Sequence, residues 1–519
     1  MDDSFTRLFG NSGSLETKPC ERGASIIEML EKRPAASRVA AVFIIVACLV
    51  LAAAGGAYIL LSWPNPNGSN IGKLSSLPST AMTTPGMACV NVASYDESIP
   101  SSYQSMYDVL DQVLNDFGQT ISSIPPVASH EVIYATELLP ADSNLGQKLL
   151  SPQAMQGVTN YLDAIQKLGI QGVTIDASYP MLTPTFPNYG QYLDFYENVV
   201  EQVRARGMKI DIESETPLLV GYPGLSLGSV AYANLPYSTY LNEDKEMIQT
   251  VINVLHPDYL NIGTETDTLQ MLLHYPEIST PQGWGMYIRS LLTGLNKGNT
   301  KINVGIGSWD PIGYLSATLN DSAVDAIDTH IYPVYGNYLS VLTRIGQMSQ
   351  EYDKPIVIDE MWLHKSTMNE GHGFATDAEI SARNMYAFWI PLDEKFLEVM
   401  SKYSRIYNVA YVSPFEATYF FGYLNYTDSS AKVPYYEARQ VASQAAARNI
   451  ANGIVSPVGC YYQGLIDGLT PVNISLGNLA AEDRSKASGV GIFQTGRSCK
   501  QAKATENDAA WKPATSPLT

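Results

Sequence analysis

Basic residues are few and scattered in this chain. Its 32 Lys and Arg stand against 51 Asp and Glu, a net charge of −19, and no basic cluster occurs anywhere along 519 residues. A nucleic-acid backbone, whose binding rests on neutralised phosphates, is therefore excluded as the expected partner. Cysteine is scarce too, with five residues and no C-x-x-C pair, which leaves neither a zinc site nor a thiol-redox motif. The six histidines form no H-x-H or H-E-x-x-H pair, so a metal-dependent hydrolase lacks its ligands, and no metal or organic cofactor is expected. One G-x-S-x-G match, Gly224-Leu225-Ser226-Leu227-Gly228, falls in a loop rather than at a strand-to-helix elbow, against a serine hydrolase.

Charge is missing altogether from residues 39–61, VAAVFIIVACLVLAAAGGAYILL. About 20 apolar residues suffice to cross the hydrocarbon core as a helix. A cleaved signal peptide is the rival reading, but its apolar core would be only about 7–15 residues long. Lys32, Arg33 and Arg38 precede the run and the first basic residue after it is Lys73, which puts the N-terminus in the cytoplasm by the positive-inside rule. The expected organisation is a cytoplasmic tail at 1–38, a membrane helix at 39–61 and a Pro-, Gly- and Ser-rich stalk at 62–90. A folded domain at 91–452 and a small C-terminal extension with a disordered tail at 453–519 follow. The N-x-S/T triplets at Asn67, Asn320, Asn425 and Asn473 all lie on the outer side. So do Cys89, Cys460 and Cys499, which permit one disulfide with one thiol left over, the pair unspecified.

Beyond residue 130 apolar runs alternate with helical periodicity. Strand-like segments occur at 131–138, 172–178, 208–215, 258–265, 301–307, 323–332, 355–362 and 408–415, with amphipathic stretches such as 158–169, 192–207, 243–255 and 338–352 between them. Alternating strands and helices imply right-handed βαβ units and a parallel sheet. Eight units favour closure into a (β/α)₈ TIM barrel over an open doubly wound sheet, whose G-x-G-x-x-G turn is missing from the first unit.

A barrel presents its functional groups at the C-terminal strand ends. Those ends carry Asp176, then Glu213 and Glu215, then Glu265 and Asp267, then His330 and Tyr332, then Glu360 and Trp362, and last Glu416. For Asp176 and Asp267 the bland alternative is capping of the next helix. Glutamate caps poorly and is costly to bury ionised, so Glu265 and Glu360 call for partners or a task. Period-two alternation puts Asn261, Gly263 and Glu265 on one strand face, Ile356, Ile358 and Glu360 on another, and Asp328, His330 and Tyr332 on a third. Gly263 then reads as room made below Glu265.

This order of motifs, a strand-four glutamate, His330-Ile331-Tyr332 on strand six and PIVIDEMW with Glu360 on strand seven, resembles the retaining glycoside hydrolases of the large (β/α)₈ clan GH-A, which includes cellulases, β-mannanases and β-galactanases. The resemblance covers roughly residues 125–450. It implies Glu265 as acid/base, Glu360 as nucleophile, Tyr332 as hydrogen-bond donor to the nucleophile and His330 as part of the sugar site, acting on a β-linked oligo- or polysaccharide. Asp176, Glu213 and Trp362 are the further substrate-binding candidates, with Tyr179, Trp284 and Trp309 as possible stacking surfaces. Thr264 stands where most of the clan carries an Asn that contacts the sugar 2-hydroxyl. On strand eight Phe415, Tyr419 or Phe420 would replace a common tryptophan platform. Double displacement requires carboxyls about 5–5.5 Å apart, Glu265 holding its proton and Glu360 ionised. The competing class is a tethered barrel that binds glycan without cleaving it.

Overall fold

The computed structural model describes residues 88–89 and 95–468, apart from 127–130, 215, 219–234, 333, 335, 337, 369, 371–379, 381, 428–429 and 431–434. The expected tail and membrane helix, most of the stalk, Glu215, the G-x-S-x-G match and residues 469–519 lie outside these. Among the described residues no helix is long and apolar enough to cross a membrane.

In chain order the elements are β1 (Ala88–Cys89), α1 (Gln104–Ser122), β2 (Ile133–Glu137), α2 (Ala154–Lys167), β3 (Gly172–Asp176), α3 (Tyr189–Ala205), β4 (Lys209–Glu213) and α4 (Tyr237–Thr250). They continue with β5 (Tyr259–Asn261), α5 (Thr266–Leu273), α6 (Pro281–Leu292), β6 (Lys301–Gly305), α7 (Gly313–Ser316), β7 (Ala326–Asp328), α8 (Tyr338–Tyr352), β8 (Ile356–Met361), α9 (Ile390–Ile406), β9 (Val409–Pro414), α10 (Tyr435–Ala451), β10 (Ile454–Val455) and α11 (Pro457–Ile466). Strands β2 to β9 form a closed barrel in sequence order, every pair parallel, and β9 returns to β2 through Tyr411 opposite Ile133. The expected (β/α)₈ barrel is thus the observed one, on the expected eight segments.

The helices form for the reason their spacing suggests. In α2, Val158, Tyr161, Leu162 and Ile165 are all buried, a stripe at helical period turned to the strands. Helix α6 opens on Thr280, whose hydroxyl accepts the Gly283 N–H, followed by Pro281 at the first helical position.

Inside the barrel the floor is apolar, built by Ala135, Tyr259, Ala326, Val357 and Tyr411. One inward position higher the character changes. Asn261, Asp328 and Asp359 are buried there, Thr174 Oγ1 donates to Ser413 Oγ at 2.9 Å, and Asn303 Nδ2 lies 3.3 Å from Asp211. The upper half of the barrel is therefore a polar chamber, which a strand buried on both faces would not by itself predict.

Two of the expected strand faces need correction. On β8 it is Val357 and Asp359 that point inward, while Ile356 and Ile358 pack with the helices. The ladder with β9 is interrupted between Ile358 and Met361, and this irregularity lets Glu360 reach the mouth beside Asp359. On the other side β5 ends at Asn261, and Glu265 sits beyond it as the residue preceding α5. A Cβ on Gly263 would meet Trp284 and Ile288 of α6 at 2.8 Å. That glycine therefore permits close helix packing and makes no room below Glu265.

Residues 454–466, expected in a small C-terminal extension separate from the domain at 91–452, pack on the barrel body. Strand β1 pairs with β10, Tyr462 Oη donates to the Ala135 carbonyl at 2.9 Å, and Cys89 is disulfide-bonded to Cys460. The bridge joins positions 371 residues apart, so opening it restores much chain entropy to the unfolded state. Cys460→Ser is expected to lower stability by about 3 kcal/mol, read as a drop in melting temperature that a reductant reproduces in the wild type and not in the variant.

Candidate active site

His330 sits at the centre of the chamber's rim, only 1% exposed, and both ring nitrogens face carboxylates. Its Nδ1 lies 3.0 Å from Glu265 Oε1 and 3.4 Å from Glu360 Oε2, and its Nε2 lies 3.1 Å from Asp359 Oδ1. Three carboxylates within 3.4 Å of the ring would each stabilise its charged form. The strand-six face holds as expected: Asp328, His330 and Tyr332 all point inward, and Tyr332 Oη donates to Glu360 Oε2.

Each carboxylate has its own support. Glu265 Oε2 accepts from Thr268 Oγ1 at 2.6 Å. Asp359 Oδ2 accepts from Asn261 Nδ2 at 2.7 Å, and Asn261 Oδ1 accepts in turn from the Gly263 N–H and from Thr264 Oγ1. One oxygen each of Glu265 and Glu360, with a nitrogen of His330, lie within 4.8 Å of one another, and the same holds for Glu213, His330 and Asp359. Either triad has donor atoms that a divalent cation could use.

The electrostatics correct one expectation. Burial pushes the Glu360 carboxyl up to about 7, with the Glu265 charge adding to it and His330 and Tyr332 opposing. Burial would raise Glu265 as well, but the hydrogen bond and charge of His330, helped by Thr268, hold it below the usual carboxylate range. The carboxyl pushed up is thus Glu360 and the one held down is Glu265, the reverse of the expected order, because His330 stands nearer to Glu265. Beneath them Asp328 and Asp211 are pushed well up by burial and by Asp359.

The other predicted residues divide. Glu213 reaches the His330–Asp359 group. Asp176 caps no helix; Asn188 precedes α3, and Asp176 accepts from Ser143 Oγ at 2.9 Å, Asn144 Nδ2 at 2.9 Å and Ser178 Oγ at 2.6 Å. Thr264 is fully buried and turned to Asn261, so it braces the site from behind instead of presenting a hydroxyl to a ligand. Trp362 is 1% exposed, packed on Tyr419 and Phe420 and covered by the Lys365 ammonium at 5.6 Å. It offers no free face to a sugar. Tyr179, Trp284, Tyr419 and Phe420 are buried likewise. Glu416 is held by Arg439 at 3.3 Å.

Trp309 and Phe415 remain half-exposed at the mouth, their rings 6.0 and 5.9 Å from that of Tyr332. The Trp309 indole N–H donates to Asp267 at 3.1 Å, and burial with the nearby Glu265 pushes Asp267 up to about 6. His364 stacks on Tyr332 at 4.8 Å and burial lowers it to about 3, which keeps it neutral. Asp359 and Glu137 were not singled out by strand-end reading. The signal was available, since both lie two residues past an inward apolar position, Val357 and Ala135.

Lys365 also pairs with Asp393 in the core, both side chains at most 1% exposed, and Asp393 accepts from Tyr423 Oη at 3.0 Å. Lys365→Met would leave a buried carboxylate without its cation. It is expected to cost about 3 kcal/mol, measured by denaturant unfolding, with recovery in a Lys365→Met, Asp393→Leu double variant.

No family model and no curated protein matches the chain. Solved structures similar to it include a protein designated GH5_18 from Bifidobacterium longum, with 13% identity over 66% of this chain and 79% of that one and a TM-score of 0.41. An exo-β-1,4-mannosidase from an Opitutaceae bacterium matches with 12% identity over 62% of this chain and 60% of that one, at a TM-score of 0.41. A glycoside hydrolase family 30 subfamily 8 xylanase from Clostridium acetobutylicum matches with 16% identity over 62% and 72%, at 0.34.

Proposed function

We propose that this chain is a membrane-anchored retaining glycoside hydrolase that cleaves β-linked glycans outside the cytoplasm. The observation that carries the reading is the pair Glu265 and Glu360, with carboxylate oxygens within 4.8 Å of one another and His330 between them. Carboxylate oxygens this near to one another suit the roughly 5–5.5 Å pair of double displacement better than the roughly 6.5–9.5 Å pair of an inverting enzyme. Glu360 attacks the anomeric carbon while Glu265 protonates the leaving oxygen. Glu265 then takes a proton from water, which releases the sugar with retained configuration. Tyr332, donating to Glu360 Oε2, orients the nucleophile.

The uncharged run at 39–61 supports the anchor, and the Cys89–Cys460 bridge supports an oxidising compartment for the barrel. Asn320 and Asn425 are exposed, as acceptors of N-glycosylation would need to be.

The test is a screen of the full-length protein in detergent against β-linked polysaccharides and aryl β-glycosides, with the anomer of the first product read by NMR. Release of the β-anomer supports the proposal. Glycan binding without turnover would replace it by a non-catalytic binding barrel, and release of the α-anomer would overturn the double displacement.

A further inference from the structure

Glu137 is a carboxyl that the mechanism above leaves unused. It ends β2 on the same face as Ala135, whose side chain lies inside the barrel, so it points into the chamber under the mouth. It is 1% exposed and neither carboxylate oxygen has a hydrogen-bond partner among the described residues. After burial, the charges that act most on it are all acidic: Glu360, Asp142, Asp176 and Asp359.

The register places Glu137 opposite Thr174, which makes Asp176 the next inward residue up on β3, level with Glu213 of β4. Asp176 is partly exposed and already has three side-chain donors. Glu137 has none. An unpartnered carboxyl in this position calls for a donor from outside the chain. A sugar hydroxyl would supply one. An ammonium supplies three donors and a charge that lets the surrounding acids ionise, whereas a uronate would add a further carboxylate to a chamber rich in them.

We propose that the β2–β3 side of the mouth is a glycone subsite for a basic amino sugar, with Glu137 and Asp176 receiving its ammonium, so that the preferred substrates are β-linked glycans of non-acetylated amino sugars. The inference rests on the glycosidase reading and narrows its substrate class.

The test compares kcat/KM of the full-length protein on nitrophenyl β-glucosaminide and nitrophenyl β-glucoside at about pH 6, where the amine is protonated. The amine is expected to be favoured by about tenfold, with a charge-assisted pair behind the preference. Glu137→Gln is expected to abolish most of that ratio, and Asp176→Asn, at a partly exposed position, to lower it should the first variant fail to fold. A wild type that prefers the neutral glycoside, or a ratio unchanged in the variants, overturns the subsite and leaves the glycosidase standing. If neither glycoside is cleaved and the polysaccharide screen also releases no sugar, the glycosidase reading fails, and calorimetry with deacetylated chitosan oligosaccharide decides the subsite separately; if only polysaccharides are cleaved, the same calorimetry decides it. Binding lost in Glu137→Gln upholds it; no binding, or equal binding, overturns it.

Discussion

Glu360→Gln is expected to reduce turnover of any β-glycoside substrate by about 10⁴-fold or more, the scale on which loss of a covalent nucleophile is felt. Glu265→Gln is expected to cost about 10²–10⁴-fold, the usual contribution of a positioned acid/base. The two differ in their dependence on the leaving group. An activated aryl group departs with little protonation, so the first step survives in Glu265→Gln, and the glycosyl-enzyme then accumulates because no base activates water. Glu360→Gln has no such rescue. Asp359, adjacent in sequence and also inside the barrel, is the competitor for the nucleophile's role, but it is fully buried and tied to Asn261 and His330. Mass spectrometry of a trapped sugar separates them: attachment at Glu360 is expected, and attachment at Asp359 would reassign the role. Retention of more than about a tenth of wild-type activity in Glu360→Gln would end the proposal.

What could be read before the structure, and what could not, follows from the range of the forces involved. The eight strands were legible because closure needs only an apolar period and helical spacers, both local. His330 and Tyr332 were placed correctly because β7 and its extension keep strict alternation through Asp328. Glu265 and Glu360 fell on the rim for reasons the alternation did not contain. Strand β5 stops at Asn261, and β8 breaks register between Ile358 and Met361, irregularities set by neighbouring strands. The aromatic residues failed in the other direction. Trp362 and Trp284 have the composition of sugar platforms, but a side chain's burial depends on what packs above it, Lys365 and Tyr419 in one case and Gly263 in the other. The Cys89 partner was open because a bridge across 371 positions leaves no periodic trace. The polar chamber was the largest surprise, since Asp211, Asp328 and Asp359 lie inside expected strands far apart in sequence, and only barrel closure brings them together around one histidine.

That histidine makes the second large effect, a pH dependence with a definite sign. Double displacement needs the pair Glu265–Glu360 to hold one proton, whichever carboxyl carries it before substrate binds. As pH rises through about 7, Glu360 gives up that proton, and kcat/KM is expected to fall about tenfold per unit above it. On the acid side the pair gains a second proton only when Glu265 titrates, and His330 holds Glu265 below the ordinary carboxylate range. The profile should therefore be a broad plateau on the acid side of neutrality. His330→Asn removes the charge and the hydrogen bond that keep Glu265 low and part of what restrains Glu360, so both limbs should move to higher pH. The acid limb should move furthest, since His330 lies 3.0 Å from Glu265 and 3.4 Å from Glu360. A purely structural histidine would lower kcat and leave both limbs in place. Profiles of kcat/KM on a neutral glycoside at constant ionic strength distinguish the two, and an acid limb that stays put or moves down in His330→Asn would refute the bridging role.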